Sequence, residues 1–245
     1  MSTADRAADA LEPARGVRQR IPRPVDVHPG GPPPWASLTA AERRGITLAR
    51  VRQGFERRSP AGAVPRRVSA PRPSRPQEFW GRPAAVLCAL FDEDGEARVI
   101  LTRRASTLRS HTGEVSFPGG RLDEGERAVD GALREAHEEV GIDPSTVEVL
   151  GTLSPLVTVA GQTIITPFVG VLPGRPHLVP SVAEVDWAFD VSLAELVSDG
   201  VYHEELWVVP GEGSRTLSFF ELANDIVWGA TGWMLRDLLA LTLAP

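Results

Sequence analysis

The chain contains no lysine: its 26 basic residues are all arginine, a bias that reflects coding more than function. Its single cysteine, Cys88, excludes an intrachain disulfide. That cysteine lies in the apolar run Ala84-Ala85-Val86-Leu87-Cys88-Ala89-Leu90, which reads as a buried strand, so its expected role is that of a small hydrophobe rather than a nucleophile. No apolar stretch near the N-terminus resembles a signal peptide. The last apolar segment, about 228–241, is too short to span a bilayer and carries Arg236 and Asp237. The expected location is cytoplasmic, with no membrane partner. There is no internal repeat, and no aromatic stacking platform or nucleic-acid motif accompanies the arginines, which argues against a nucleic-acid partner.

What is present is enough for one substantial core, or a core with an appendage: 245 residues, 42% of them hydrophobic. Charge is divided unevenly. Residues 1–82 carry 16 Arg against 7 acidic residues, a net +9, whereas residues 83–245 carry 10 against 25, a net −15. Within the basic part, residues 1–35 and 59–76 are rich in Pro, Arg, Ala and Gly, a composition expected to remain loop or disorder. Between them, Thr39-Ala40-Ala41-Glu42 has the form of a capping box and opens a helix over about 39–55, with Ala41, Leu48, Val51 and Phe55 on one side. The expected division is a basic, partly disordered N-terminal extension over 1–82 containing that helix, followed by a folded domain over 83–245. The helix has three possible uses: docking on the domain, forming part of a homodimer interface, or bringing arginines to a phosphate of the substrate.

The chemistry-bearing stretch lies between Gly120 and Ile142. Glu135, Glu138 and Glu139 stand at i, i+3 and i+4, so three carboxylates share one helical face where like charges oppose helix formation. A divalent cation would offset them. Hard carboxylate oxygens prefer Mg²⁺ or Mn²⁺, and such ions commonly take substrate phosphates as further ligands. Asp123-Glu124-Gly125-Glu126 has capping-box form and Gly141 stands where a left-handed residue would end the helix, so one helix is expected over about 124–140. Val129, Leu133, Ala136 and Val140 would form its buried stripe, leaving the glutamate face outside the core.

The full spacing, Gly120-x5-Glu126-x7-Arg134-Glu135-Ala136-x-Glu138-Glu139-x-Gly141-Ile142, led by Phe117-Pro118-Gly119, resembles the Nudix box. The resemblance implies an α/β/α sandwich with a mixed sheet, here with an Arg/Pro-rich N-terminal extension. It also implies metal-dependent hydrolysis of a nucleoside diphosphate linked to another moiety. Carried over position by position, Glu135, Glu138 and Glu139 would be carboxylate ligands and the Gly119 carbonyl a backbone ligand. Arg134 would orient the carboxylates, with Glu126 pairing to it and Gly120 supporting the site from behind. Glu138 or Glu135 would be the base, and the sequence does not separate them. Glu184, opening the run Glu184-Val185-Asp186-Trp187, is similar to a further family carboxylate that reaches the site from outside the box.

Upstream, Ile100-Leu101-Thr102-Arg103-Arg104-Ala105, then Arg109, Gly113 and Phe117-Pro118-Gly119-Gly120, resemble the extra motif of the coenzyme A pyrophosphatase branch, with Ile100 the one departure. Less specific similarity continues through Thr163-Ile164-Ile165-Thr166-Pro167-Phe168-Val169-Gly170 and Ile226-Val227-Trp228-Gly229-Ala230-Thr231-Gly232. The branch implies coenzyme A or acyl-CoA as substrate, with 3′,5′-ADP and a 4′-phosphopantetheine as products. Arginine forks suit phosphate oxygens, so Arg104, Arg109 and Arg103 are the substrate-binding candidates, with Arg104 the one the motif specifies. The alternatives are a pyrophosphatase for ADP-ribose or another nucleoside diphosphate derivative, and a non-catalytic ligand sensor on the same fold. Strands are expected near 84–90, 97–102, 147–157 and 164–171, and helices near 124–140, 192–197 and 228–241.

Overall fold

A computed structural model describes residues 19, 21–58, 82–105, 113–158, 163–211 and 213–244. The N-terminal part supplies strand β1 (Asp26–Pro29) and helices α1 (Ala40–Arg43) and α2 (Leu48–Arg58). Next come β2 (Arg82–Glu93), β3 (Glu96–Arg104), β4 (Val115–Ser116), β5 (Gly119–Arg121) and helix α3 (Ala128–Val140). A 3₁₀ turn over Pro144–Thr146 leads to β6 (Glu148–Thr152), β7 (Leu156–Val157), β8 (Thr163–Val171), β9 (Val185–Ser192) and α4 (Leu193–Leu196). The chain closes with β10 (Tyr202–Val209), β11 (Gly213–Glu221), β12 (Ile226–Val227) and α5 (Gly229–Leu243). Among the described residues no helix is long and apolar enough to cross a membrane.

The central sheet is mixed and eight-stranded. Its main path runs β4-β3-β2-β8-β6, with β5, β7 and β9 paired to β2, β8 and β3. β2 and β8 are parallel, and β2 and β3 form a hairpin through Asp94-Gly95, both at positive φ as a tight primed turn requires. The apolar run that includes Cys88 becomes β2, buried on both faces as an interior parallel strand is. Ala85, Leu87, Ala89 and Phe91 meet Ala132, Ala136 and Val140 of α3, while Val86, Cys88 and Leu90 look into a second core beneath α2, α4 and α5. Helices on both faces of a mixed sheet make this an α/β/α sandwich.

Three expectations need correction. The helix expected over 39–55 is two helices. The Thr39 capping box forms, but Arg44 is extended and Gly45 sits at φ 61, so the chain turns before α2 begins. Residues 1–35 are not all irregular, because β1 pairs antiparallel with β10 from Asp26↔Val208 to Pro29↔Glu205. Proline is tolerated there, since β1 is an edge strand. The strand expected over 147–157 is two strands, β6 and β7, separated at 153–155 by a break that holds Pro155, and β6 itself carries a register shift between Val149 and Gly151.

The N-terminal segment shares the core. Trp35, Ile46, Val51 and Phe55 are buried with Leu235, Leu238, Leu239 and Leu243 of α5, and the Trp35 ring lies 5.0 Å from that of Tyr202. Arg57 donates to the Ala244 carbonyl at 3.0 Å and Arg58 to the Ser154 hydroxyl at 2.9 Å, which fixes α2 against the end of α5. A second, four-stranded sheet ordered β1-β10-β11-β12 completes this side of the molecule. The residues expected as loop over 59–76 lie outside the described residues.

Candidate active site

The site is assembled where three elements meet: β5, the C-terminal half of α3, and the end of β3. Backbone geometry explains the glycines. Gly119 has φ +155, and a Cβ there would fall 2.4 Å from the Ala85 carbonyl oxygen; one on Gly120 would fall 2.5 Å from the Glu135 carboxyl. Only glycines let β5 run between β2 and the helix that carries the acids.

Helix α3 starts at Ala128, four residues later than expected, with Arg127 at its N-cap and Gly141 left-handed at its C-cap. The Asp123 amide does donate to Glu126 at 2.9 Å, yet this closes a turn ahead of the helix, because Gly125 at φ 78 reverses the chain and Arg134 takes the Glu126 carboxylate. Arg134 is the hub. Its guanidinium grips Glu126 through Nε and Nη2 at 2.9 and 3.1 Å, reaches Glu135 at 3.0 Å and Glu138 at 3.1 Å, and donates to the Arg121 carbonyl at 3.1 Å. The pairing holds the Glu126 carboxyl below the usual carboxylate range.

The three glutamates of the helix stand in three environments. Glu138 is exposed, with 57% of its side chain open to solvent. Glu135 is half-buried, and desolvation pushes its carboxyl up despite Arg134. Glu139 is only 3% exposed, which corrects the expectation that the glutamate face lies outside the core. Gly119 donates to Glu139 Oε2 at 3.0 Å, and the loop after β8 covers the helix end through Ser181, whose amide donates to the Glu139 carbonyl at 2.8 Å. The expected apolar stripe shifts with it: Ala132, Ala136 and Val140 are buried, whereas Val129 and Leu133 are half-buried. Burial pushes the Glu139 carboxyl up to about 7, opposed by the Gly119 amide and Arg104 and reinforced by Glu135 and Glu184.

Arg104 enters from the end of β3, with Nη1 3.9 Å from Glu139 Oε1. Arg103 does not join it. Its fork is taken up by Asp225 at 2.8 and 2.7 Å, away from the glutamates, as alternation along a strand predicts. Glu184 is exposed at the entry to β9, and its carbonyl accepts from Ala105 at 2.9 Å, tying it to the strand that carries Arg104. Arg109 lies outside the described residues. Asp225 went unremarked in the sequence, where a single acid ahead of Ile226-Val227-Trp228 carries no signal.

Among the described residues no three His, Cys, Asp or Glu side chains stand in a closed coordination geometry. Arg134 and the Gly119 amide hold the carboxylates instead. The donor set nevertheless fits a hard divalent cation: neighbouring carboxylates raise the proton affinity of Glu135 and Glu139, and Glu139 is buried with little compensating positive charge.

Comparison with known proteins bears on this arrangement. The chain is similar to the proteins named Uncharacterized Nudix hydrolase NudL of Escherichia coli (strain SMS-3-5), at 40% identity over 159 residues, covering 64% of this chain and 81% of the relative. The same-named protein of Klebsiella pneumoniae (strain 342) is 39% identical over 170 residues, covering 69% and 86%. Among solved structures, the Nudix hydrolase RenU from M. smegmatis aligns with TM-score 0.41 and 28% identity over 46% of this chain and 73% of its own. The family profile described as the NUDIX domain matches residues 81–210, a span holding β5, α3, Arg104 and Glu184. Profile, relatives and the placement of the box glutamates agree that the chain belongs to the Nudix hydrolase family.

Proposed function

We propose that the chain hydrolyses the pyrophosphate bond of coenzyme A or acyl-CoA, giving 3′,5′-ADP and a 4′-phosphopantetheine. As a Nudix hydrolase it acts on nucleoside diphosphate derivatives. The observation that supports the narrower substrate is the position of Arg104. It is the arginine specified by the upstream motif, and it stands beside Glu139 at the end of β3, where a guanidinium can meet a phosphate held at the glutamates.

A divalent cation, Mg²⁺ or Mn²⁺, held by Glu135, Glu138, Glu139 and Glu184 with the Gly119 carbonyl, would neutralise phosphate oxygens and lower the pKa of a bound water. The protein's own residues position and move the proton. Arg104 orients the diphosphate, with Arg109 assigned to the same task by the motif. Water attacks phosphorus, its oxygen forms the new P–O bond, and the bond to the bridging oxygen breaks. The attacking water gives its proton to a carboxylate. We assign that role to Glu138, the most exposed of the three, with Glu135 as the second candidate. Arg134 bonds both carboxylates and holds them side by side.

Removing the hub should therefore disorganise the acids without opening the core. Arg134→Met is expected to lower kcat/KM by about 10- to 100-fold, with a parallel loss of Mn²⁺ affinity, the usual range for partners that orient metal ligands. Arg134→Lys should not restore it, since an ammonium cannot bridge Glu126, Glu135 and Glu138 as the fork does. Ranking coenzyme A, acyl-CoA and ADP-ribose by kcat/KM tests the substrate assignment. A large preference for ADP-ribose would sink it and leave the hydrolase chemistry standing.

A further inference from the structure

The buried ion pair Arg103–Asp225 sits one residue from Arg104 and joins the second sheet to the active-site edge. Both side chains are largely buried, at 11% and 9% exposure, and the contact is bidentate at 2.8 and 2.7 Å. Asp225 lies in the turn between β11 and β12, and its carbonyl accepts from Leu222 at 2.8 Å, so the carboxylate is presented from a closed turn. On the other side, the pairing of β3 with β9 slips between Arg103 and Arg104. Arg103 is opposite Trp187 and Arg104 opposite Val185, with Asp186 left over as a bulge. The extra residue belongs to β9, so β9 bends around the end of β3 at Arg103 and Arg104.

The backbone at this bend is a junction. The Arg104 amide donates to the Glu114 carbonyl at 3.0 Å, and the Ala105 amide to the Glu184 carbonyl at 2.9 Å. An ion pair that clamps Arg103 thus fixes the direction in which Arg104 leaves the strand. A bidentate guanidinium–carboxylate contact is geometrically specific, which a single apolar contact at this position would not be.

From this juxtaposition we infer that Asp225 is a positioning residue: by holding Arg103 through both carboxylate oxygens it aims Arg104 at the diphosphate of the substrate. The inference rests on the proposed function only in taking Arg104 as the group that meets the diphosphate. Asp225 touches neither substrate nor metal, and its effect is carried by the β3 backbone.

Titration calorimetry with ADP as the diphosphate probe tests it, because a lost folded fraction lowers the binding stoichiometry whereas a misaimed Arg104 weakens the affinity. Asp225→Asn is expected to raise the ADP dissociation constant about tenfold at unchanged stoichiometry, with Mn²⁺ binding by electron paramagnetic resonance unaltered. Asp225→Glu, which keeps the charge, should return the affinity to within about threefold of wild type. Arg103→Lys, a milder change that keeps one ion-pair contact, should reproduce the defect if Asp225→Asn does not fold. Wild-type affinity at reduced stoichiometry in these variants would overturn the inference, as would failure of the wild-type protein to bind ADP. A wild-type protein that binds ADP yet leaves coenzyme A uncleaved would sink the proposed substrate and still leave Asp225 to be judged on affinity.

Discussion

Glu139→Gln is expected to lower kcat/KM by at least about a hundredfold, equivalent to roughly 2.7 kcal/mol of transition-state stabilisation, while the protein stays folded. The two halves of this result come from one environment. Glu139 is 3% exposed and has one backbone amide at 3.0 Å and one guanidinium at 3.9 Å. A buried carboxylate so thinly compensated costs stability, and a neutral amide of the same shape removes that cost while keeping an oxygen for Gly119. In a metal-free buffer the variant should melt at or above the wild-type temperature. On adding Mn²⁺ the wild type should be stabilised, as any ligand that binds only the native state requires, and the variant should respond far less. Turnover retained by Glu139→Gln would remove this glutamate from the metal set. A variant that melted well below wild type in the metal-free buffer would show instead that the carboxylate supports the fold.

Truncation to residues 82–245, close to the start of the matched domain, is the second large effect expected. Removing the N-terminal segment strips Trp35, Ile46, Val51 and Phe55 from the core and uncovers the face of α5 that carries Leu238 and Leu239. It also turns β10 into an open edge and leaves the Glu204 carbonyl without the Gly30 amide that donates to it at 2.7 Å. The truncated protein should be insoluble or should lose its cooperative unfolding transition. Trp35→Ala is the graded version. Deleting a buried aromatic costs about 3–5 kcal/mol, which for a chain of this size lowers the melting temperature by roughly 6–20 °C. Calorimetric melting of the three proteins settles the point, and a truncated chain that melts like the full-length one would show that the segment only rests on the domain.

These expectations also mark what could be read from the sequence. The glutamates and Arg134 were legible because they stand within about one turn of one helix, where spacing alone fixes geometry, whereas Glu126 lies ahead of that helix and was legible only through the family spacing. The strand holding Cys88 was legible from a continuous apolar run. What escaped depends on partners far along the chain. β10 mixes Glu204 and Glu205 with Leu206 and Trp207, so its alternation is hidden, although the Pro210-Gly211 turn beyond it could have suggested a hairpin with β11. β1 has no apolar pattern of its own and is a strand only because β10 offers it an edge. The burial of Glu139 comes from β5 and from the loop that brings Ser181, neither of which helix periodicity can see. Periodicity sees α3 against one neighbour, whereas β2, β5 and the loop holding Ser181 all pack on it.

Chromatographic identification of the products formed from coenzyme A, with Mg²⁺ or Mn²⁺ and with chelator, addresses the central claim most directly. The account predicts metal-dependent release of 3′,5′-ADP and 4′-phosphopantetheine, and little cleavage of ADP-ribose under the same conditions. Cleavage of ADP-ribose alone would contradict the substrate assignment, and an intact coenzyme A pool beside an intact ADP-ribose pool would contradict the catalytic reading of the site.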